Sequence, residues 1–300
     1  MTDSDCRSWF SAADLLTQDR TAPIALIGAP LGLGSITPGR CDLAPETVRA
    51  AMKRMSVYDV ETEVDLSEMR VFDAGDMPIA QLQPSEARDP MVDRLAPLLE
   101  AHQLVIVLGG NNAVTRPCVH ALRENHAAGV LTLDAHFDLR DTDCGLTNGN
   151  PIQALLEDGL PGKSIAQVGL LAFANTKKAH GKAKAAGIHV VTIAECVSGG
   201  FAEQCLQSLD KLSAECDTIH VDFDIDVIER AHMPGAPGAR PGGCSPREFF
   251  QATRAICAHP LVRSVDLTEF DPSLDVANIS ALTAARWMCE VLAGFQRRDG

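Results

Sequence analysis

Short apolar runs, rich in β-branched residues, alternate along the chain with longer amphipathic stretches. The apolar runs predict strands at 24–28, 105–110, 130–134, 165–171, 188–193, 218–226 and 262–270. The amphipathic stretches predict helices at 45–55, 90–102, 201–212 and 278–295. Strands that are apolar on both faces and separated by helices are typical of a mostly parallel sheet that is covered on both sides. The pattern therefore predicts an α/β fold.

Polar residues follow four of these runs at the point where each predicted strand ends. The runs containing VIVL, VLTL, TIHV and SVDL each lead into Asn, Asp, His or Glu. Because ligands of open parallel sheets bind at the carboxyl ends of the strands, these residues should line one crevice. We therefore expect side chains scattered between residues 109 and 270 to converge in space.

Composition narrows the classes of function. The chain has 300 residues, 46% hydrophobic and 22% charged, which suffices for one large domain or two small ones. A net charge of −14 argues against binding to nucleic acid or to anionic lipid. No export signal or membrane-spanning run is visible in the sequence. The ten cysteines are irregularly spaced and include no Cys-x-x-Cys pair, which favours reduced thiols and a cytoplasmic location.

The segment Asp134-Ala-His136-Phe-Asp138 is the first candidate for chemistry. If the strand stays extended here, the three polar side chains share one face. Two carboxylates and one imidazole within reach of each other suit Mn²⁺ or a similar divalent ion. The alternative is a hydrogen-bonded carboxylate–histidine pair at the end of a strand.

A second acidic pattern, His220-x-Asp222-x-Asp224-x-Asp226, alternates at the end of another predicted strand. Closely packed carboxylates repel each other, and burying them is costly without a counter-charge. A cation is the natural remedy, and two acidic clusters together could hold two ions. The alternative is a solvated acidic edge, which fits poorly with the apolar TIHV that precedes it.

Glu269, at the end of the last predicted strand, is the third candidate. Its carboxylate could orient a cationic group of a substrate or a metal-bound water. It could equally cap or pair locally.

Taken together, these motifs resemble the ureohydrolase superfamily, the group of arginase, agmatinase and formiminoglutamase. The resemblance spans nearly the whole chain and rests on IGAPLGLGSITPGRCDLAPETVRAA (27–51), DAGDM (73–77), GGNN (109–112), DAHFD (134–138), Asp224-Ile-Asp226 and Glu269. Within the superfamily, DAHFDLR (134–140), LLAFANT (170–176) and HMPGAPGARPGG (232–243) look most similar to the formiminoglutamase branch.

The resemblance implies an arginase-like three-layer α/β/α sandwich with a mostly parallel central sheet. It predicts one such domain over residues 21–300, preceded by an N-terminal extension over residues 1–20. It also implies a binuclear site holding two Mn²⁺ per chain. The metal-ligand positions that it assigns are Asn112, Asp134, His136, Asp138, Asp224 and Asp226.

Asn112 departs from the family pattern, which has a histidine ligand at this position. By resemblance, one ion keeps Asp134, His136, Asp224 and Asp226, whereas the other loses its imidazole. An amide oxygen is a weaker ligand for a borderline ion than a ring nitrogen. The hypothesis is that this second ion is labile.

Asn148 is a second departure, because arginases and agmatinases place a histidine there that is a proposed proton shuttle. An asparagine does not titrate, so proton transfer to the leaving amine falls to a carboxylate such as Asp138. Formiminoglutamase-like members also tend to lack this histidine. We predict Asp138 and Glu269 to be catalytic, and Asn148, Asn150 and Glu269 to bind substrate.

Arg140 is a candidate anchor for a carboxylate of the substrate. N-formimino-glutamate carries two such groups. The alternative is an arginine paired with Asp138 or Asp141, and Arg240 and Arg230 are weaker candidates for the same role.

The function predicted from the resemblance is hydrolysis of a C–N bond in a small cationic formimino or guanidino compound by a metal-bound hydroxide. The alternatives are hydrolysis of another guanidino substrate, of agmatine or guanidino-acid type, and a catalytically degenerate member with an impaired second metal site. Family members are often trimers or hexamers, so we expect a homo-oligomer.

Overall fold

A sheet of nine parallel strands forms the centre of the computed structural model, which describes residues 9–123 and 126–299. The sheet order is β1-β5-β2-β6-β11-β10-β7-β8-β9, and β3 pairs with β4 in a separate two-stranded antiparallel hairpin. The strands are β1 (Leu16–Thr17), β2 (Ile24–Ala29), β3 (Tyr58–Asp59), β4 (Val64–Asp65), β5 (Val71–Asp76), β6 (Leu104–Gly109), β7 (Ala128–Leu133), β8 (Ile165–Leu170), β9 (His189–Thr192), β10 (Thr218–Asp224) and β11 (Val262–Thr268).

Helices cover both faces of this sheet. They are α1 (Ala44–Met52), α2 (Pro84–Ala101), α3 (Thr115–Arg123), α4 (Pro151–Glu157), α5 (Lys177–Ala186), α6 (Ile193–Gly199), α7 (Phe201–Ser213), α8 (Pro246–Cys257) and α9 (Ile279–Gln296). Helices α1 and α6–α9 pack on one face, and α2–α5 pack on the other. This arrangement confirms the predicted three-layer α/β/α sandwich.

Alternate residues along each central strand pack against opposite layers of helices. In β2, Ile24 and Leu26 pack with one layer of helices, whereas Ala25 and Ile27 pack with the other. Each of these side chains is fully buried. Such two-sided burial explains why the central strands appear in the sequence as continuous apolar runs rather than as alternating ones.

The polar ends of the predicted strands lie together because β6, β11, β10 and β7 are adjacent in the sheet. Asp222 on β10 is opposite Asp266 on β11, and Asp224 is opposite Thr268. Parallel neighbours carry their carboxyl ends to one edge of the sheet, so the segments after β6, β7, β10 and β11 converge there.

Part of the predicted N-terminal extension belongs to the folded body. Ala12 and Leu15 are fully buried in the core, and β1 pairs with β5 at the edge of the sheet. Residues 1–8 of the predicted extension lie outside the described residues. The domain boundary after residue 20 stays a prediction.

No helix within the described residues is long and apolar enough to cross a bilayer. The nine cysteines in this part of the chain are all free thiols, and only Cys144 is exposed.

Candidate metal and catalytic site

Asp134, His136 and Asp226 form a cluster of possible metal ligands at the carboxyl edge of the sheet. One ligand atom from each lies within 4.8 Å of the other two. His136 Nδ1 is 2.9 Å from Asp226 Oδ2 and 3.5 Å from Asp134 Oδ1. Asp134 and Asp226 are buried, whereas His136 is partly exposed to the cavity described below.

The backbone that carries this cluster differs from the extended strand assumed from the sequence. Strand β7 ends at Leu133, and the chain turns because Asp134 Oδ1 accepts a hydrogen bond from the backbone N–H of His136 at 2.6 Å. Asp138 then adopts a left-handed conformation, with φ of 52°. The three polar side chains of this segment therefore reach the site through a turn rather than through strand alternation.

Asp224 and Asp226 reach the site from the end of β10. Asp224 is the last residue of the strand, and its Oδ1 accepts the backbone N–H of Asp226 at 2.9 Å, which starts a single 3₁₀ turn. Both carboxylates line the cavity together with Asp138. Asp222 does not line it, and lies one layer deeper in the molecule.

The titration behaviour of these carboxyls reflects like charges crowded in a buried space. Burial and the neighbouring Asp226 raise the pKa of Asp134 to about 6. Burial and neighbouring carboxylates also raise the pKa of Asp138 and of Asp224 well above the usual value. Each shift means that the ionised form lacks sufficient counter-charge, which a cation would supply.

His136 provides part of that counter-charge. Burial lowers its pKa, but the negative charge of Asp226 and the hydrogen bonds of Asp134 and Asp226 outweigh this effect and raise the pKa of His136 to about 12. Burial likewise raises the pKa of Asp226, but the charge of His136 prevails and lowers it.

One buried carboxylate oxygen of this cluster is suited to binding a cation. Asp134 Oδ2 has no hydrogen-bond partner among the described residues, although Asp134 is almost completely buried. Carboxylate oxygens and an imidazole nitrogen are suitable donors for Mn²⁺. The donor set of Asp134, His136 and Asp226 therefore fits a divalent cation.

Asn112 lies beside these carboxylates, but its amide group is already engaged. Its Nδ2 donates to Asp138 Oδ2 at 2.6 Å, and its Oδ1 accepts from the hydroxyls of Thr115 at 2.7 Å and Thr268 at 3.3 Å. An amide nitrogen has no lone pair to offer a cation. Ligation through the oxygen therefore requires Asn112 to exchange these hydrogen bonds, and its assignment as a ligand stays a prediction.

Glu269 follows β11 and faces the same cavity. Its Oε1 accepts the backbone N–H of Asn112 at 2.7 Å and the side-chain amide of Asn148 at 3.0 Å. Burial raises the pKa of Glu269 to about 7, against the opposing effect of these two hydrogen bonds. The carboxylate is thus fixed in direction by two donors and lies next to the acidic cluster.

The loop between Leu139 and α4 contains the two predicted substrate-binding asparagines, which have different surroundings. Asn148 joins Glu269 to the loop that follows β2, because its Oδ1 accepts the backbone N–H of Ile36 at 2.8 Å while its amide nitrogen donates to Glu269. Asn150 is buried, and its amide group bonds to the backbone of Thr147, Gly145 and Asp141. Asn150 therefore shapes the loop, and a contact with substrate stays a prediction.

Arg140 extends into a cavity of about 660 Å³ that also contains His136, Asp224, Asp226 and Glu269. Among the described residues, its guanidinium has no hydrogen-bond or ion-pair partner. Asp141, one of the partners considered for it, instead pairs with Lys178 and Lys182 on α5.

The other two arginines considered for this role are engaged with backbone. Arg240 donates to the carbonyls of Pro237, Gly238 and Ala239, and Arg230 donates to those of Ala236 and Pro237. Of the three, Arg140 is the one whose guanidinium lacks a partner within the described chain.

Several residues that shape the site had no clear signal in the sequence. Thr115 and Thr268 hold the amide of Asn112, and Lys178 and Lys182 hold the loop after Arg140. Gly238 packs so closely that a Cβ there would lie 2.0 Å from Asp226 Oδ2. Only the glycine-rich loop 232–243 could have indicated such a close approach of backbone to the ligands.

Nearly the whole chain is similar to proteins of a known family. A family model described as the arginase family matches residues 22–294. A formimidoylglutamase of Halalkalibacterium halodurans is 33% identical over 276 residues, which is 90% of this chain and 86% of that protein.

Two solved structures of such proteins have the same fold as this chain. The structure of formimidoylglutamase from Bacillus subtilis matches with a TM-score of 0.91 and 27% identity, over 98% of this chain and 94% of that one. A formiminoglutamase from Trypanosoma cruzi, determined with Mn²⁺, has a TM-score of 0.88 and 24% identity, over 95% and 98% of the two chains.

Proposed function

Because this chain belongs to the arginase family, we propose that it is a metal-dependent hydrolase that cleaves a C–N bond of a formimino compound, as a formiminoglutamase does. The observation that carries the proposal is the convergence of Asp134, His136 and Asp226 beside a cavity that also contains Glu269 and Arg140. The cluster can bind a cation. Glu269 can pair with the cationic formimino end of a substrate, and Arg140 can pair with a carboxylate at its other end.

We propose manganese as the metal, with two ions per chain. The support is the T. cruzi formiminoglutamase that is described with Mn²⁺, together with the oxygen-rich donor set of this site. The residues that would hold the ions are Asp134, His136, Asp138, Asp224 and Asp226, with Asn112 as the weakest ligand. When bound, such ions act as Lewis acids that lower the pKa of water to near neutrality.

Glu269 would orient the cationic end of the substrate. A formimino group is protonated at neutral pH, and a buried carboxylate with two fixed donors can pair with it in one direction only. The arrival of this cation would also favour the ionised form of Glu269, whose pKa is raised to about 7 without it.

Asp138 would carry the proton to the leaving amine. Its pKa is raised well above the usual value by burial and by the carboxylate of Asp134, which favours the protonated form of this carboxyl in the metal-free chain. Asn112 donates to Asp138 Oδ2, which fixes the direction of this carboxyl. Asn148, which stands where arginases have a histidine, has no titratable group and serves to hold Glu269.

Arg140 would anchor a carboxylate of the substrate at the other end of the cavity. Its guanidinium, which has no partner among the residues that the structure describes, can bind a carboxylate through two parallel hydrogen bonds. N-Formimino-glutamate offers such groups, whereas agmatine offers none, so Arg140 favours an amino-acid derivative.

The proposal is tested with a panel of substrates on protein loaded with Mn²⁺. We expect release of formamide and glutamate from N-formimino-L-glutamate, because the bond cleaved is the one to the leaving amine, and a kcat/KM for it that exceeds those for arginine, agmatine and guanidino acids. Higher kcat/KM with urea release from a guanidino compound would contradict the formimino assignment. Absence of turnover on every amidine, in protein that contains two ions per chain, would contradict the assignment as a hydrolase.

We also propose a cytoplasmic location and a homo-oligomer, trimer or hexamer. The free thiols of the described cysteines support a reducing compartment. The oligomer rests on the family resemblance alone. Light scattering on purified protein and fractionation of cells of the source organism test the two statements separately.

A further inference from the structure

A second cluster of metal-ligating side chains lies deeper in the molecule, between α3 and the sheet. Cys118 on α3, His220 on β10 and Asp266 on β11 each offer one donor atom, and these atoms lie within 4.8 Å of one another. All three residues are almost completely buried, and none of them lines the catalytic cavity. We propose that Cys118, His220 and Asp266 hold a buried structural zinc ion, separate from the catalytic metal site.

The histidine has the geometry of a ligand with a supporting partner. His220 Nε2 faces Asp266 Oδ2 at 3.1 Å, and its other ring nitrogen, Nδ1, is 2.7 Å from the hydroxyl of Ser264. Metal-ligating histidines nearly always donate their second ring nitrogen to a neighbour, so an ion bound through Nε2 in place of the contact with Asp266 would put the ring proton on Nδ1, toward Ser264. The hydroxyl of Thr115 lies 3.3 Å from Asp266 Oδ2, although its shorter hydrogen bond is the one to Asn112.

Two buried carboxylate oxygens in this layer lack partners. Asp266 Oδ1 and Asp222 Oδ2 receive no N–H or O–H donor from any other described residue, although both residues are fully buried, and the two carboxyl groups have only each other as neighbours for these oxygens. An unsatisfied buried carboxylate is costly, and a cation removes this cost. Asp222 is opposite Asp266 on the neighbouring strand and lies beside the cluster, but it is not one of the three donors that lie within 4.8 Å of one another.

The donor types favour zinc over the metal of the catalytic site. A thiolate is a soft ligand that selects Zn²⁺, whereas Mn²⁺ prefers oxygen. The charges of a Cys118 thiolate and an Asp266 carboxylate also balance a divalent ion, with His220 neutral. Because the cluster is enclosed, the ion would enter while the chain folds and would resist removal afterwards.

The test uses Co²⁺ as a spectroscopic substitute for zinc. The full-length chain is produced in medium in which cobalt replaces zinc, and EDTA then strips the accessible ions. We expect about one ion per chain to remain, as for a structural metal site bound on folding. We also expect a thiolate-to-cobalt charge-transfer band in the near ultraviolet. The predicted catalytic ligands include no sulfur, so cobalt retained there would give no such band.

Two serine variants locate the ion. Cys118→Ser should lose both the retained ion and the band, whereas Cys257→Ser, which changes a fully buried cysteine of α8, should keep both. A wild-type chain without retained, sulfur-ligated metal would overturn the proposal, as would a Cys118→Ser protein that keeps the band.

If Cys118→Ser does not fold, the proposal is tested on the wild-type protein only. X-ray absorption on EDTA-treated wild-type chain grown with zinc should then show a sulfur neighbour about 2.3 Å from zinc. Absence of that neighbour overturns the proposal. Either result is independent of the substrate panel that tests the proposed function.

Discussion

At the scale of single residues, two proposed catalytic side chains rest on unusual backbone. Asp138 and Glu269 are non-glycine residues with φ of 52° and 61°. A left-handed conformation of this kind costs on the order of 1 kcal/mol and persists only where the surroundings enforce it. The N–H of Glu269 donates to the carbonyl of Gly110 at 3.0 Å, and its carboxylate is held by Asn112 and Asn148. The backbone and the hydrogen bonds together direct this carboxylate into the cavity.

Replacement of Glu269 by Gln tests its role with the shape of the side chain retained. We expect kcat/KM for the formimino substrate to fall roughly 100-fold, because a charge-assisted hydrogen bond of about 3 kcal/mol is lost. Metal content should remain unchanged, since Glu269 is not among the predicted ligands. Steady-state kinetics and metal analysis on the same preparation separate these effects, and a loss of bound metal would contradict the assignment.

Replacement of Arg140 by Gln tests the proposed anchor for a substrate carboxylate. The expected result is a rise in KM of roughly 10- to 100-fold, because a charged hydrogen-bonded contact contributes about 1.5–3 kcal/mol. Arg240→Gln is the matched control, since Arg240 also lines the cavity but donates to backbone carbonyls. A larger effect on KM from Arg240→Gln than from Arg140→Gln would move the anchor to Arg240.

Metal binding should release protons, because the ligands bind only when they are deprotonated. The pKa of His136 is raised to about 12 and that of Asp134 to about 6 in the metal-free chain. His136 is therefore protonated at pH 7 and must lose this proton, so Mn²⁺ affinity should rise with pH and weaken further below pH 6.

Calorimetric titration with Mn²⁺ at pH 7, in buffers of different ionisation enthalpy, measures this release. We expect at least about one proton per chain, and about one fewer in His136→Asn. His180→Asn is the control, because His180 stacks on Phe137 and lies outside the donor set. Equal proton release by wild-type chain and His136→Asn would contradict the role of His136.

At the scale of elements, an ion-pair cluster ties α3 to the end of α4. Asp158 accepts from Arg116 at 2.6 Å and lies 2.8 Å from His120 Nε2. Burial raises the pKa of Asp158, but Arg116 and His120 outweigh it and lower the pKa to about 2. A carboxyl whose pKa is lowered on folding adds stability above its unfolded value of about 4, and this stability is lost as pH falls toward 2.

Asp158→Asn should therefore reduce the free energy of unfolding by about 1 kcal/mol at pH 7, a value already reduced for the partial exposure of the group. The difference from wild type should shrink as the pH falls from 4 toward 2. Urea unfolding across this range measures it, with the exposed Asp143→Asn as control. A difference that stays constant with pH would show that the ion pairs do not cause it.

Elements buried on both faces could be predicted from sequence, and those with weaker patterns could not. The sequence predicts a strand over 218–226, whereas β10 ends at Asp224, because the side chain of Asp224 caps the turn that follows. Strand β5 was missed because only Val71 and Phe72 of its six residues are buried. Helix α5 was missed because a single residue, Ala183, is buried along it.

In the candidate site, too, some features could be predicted from the sequence and others could not. Asp134, His136, Asp224 and Glu269 could be placed together, because each lies at or just after the carboxyl end of a strand of one parallel sheet. The hydrogen bond from Thr268 to Asn112 joins residues 156 positions apart and depends on the register of neighbouring strands. No local pattern in the sequence carries that information.

At the scale of the whole molecule, the site places several carboxylates in the interior at the expense of stability. The pKa of Asp134, Asp138 and Asp224 is raised because burial and mutual repulsion disfavour their charged forms. In the metal-free chain these charges oppose folding, and a bound cation reverses the effect. Stability and metal binding should therefore respond in opposite directions when one of these charges is removed.

Asp224→Asn is the variant that separates the two, since it keeps the size of the side chain and removes one buried charge. Without metal, we expect its Tm to equal or exceed that of wild-type chain by a few degrees. With Mn²⁺ at about 100 times its Kd, wild-type chain should gain about 2.7 kcal/mol, roughly 4 °C in Tm for a chain of 300 residues. The variant should gain little, because a predicted ligand is lost.

Calorimetric scans with EDTA and with Mn²⁺ measure both effects. Asp210→Asn, on the exposed face of α7, is the control and should behave as wild type in each scan. A full metal-dependent gain in Asp224→Asn would remove Asp224 from the ligand set, whereas a marked loss of stability without metal would mean that its carboxylate supports the fold.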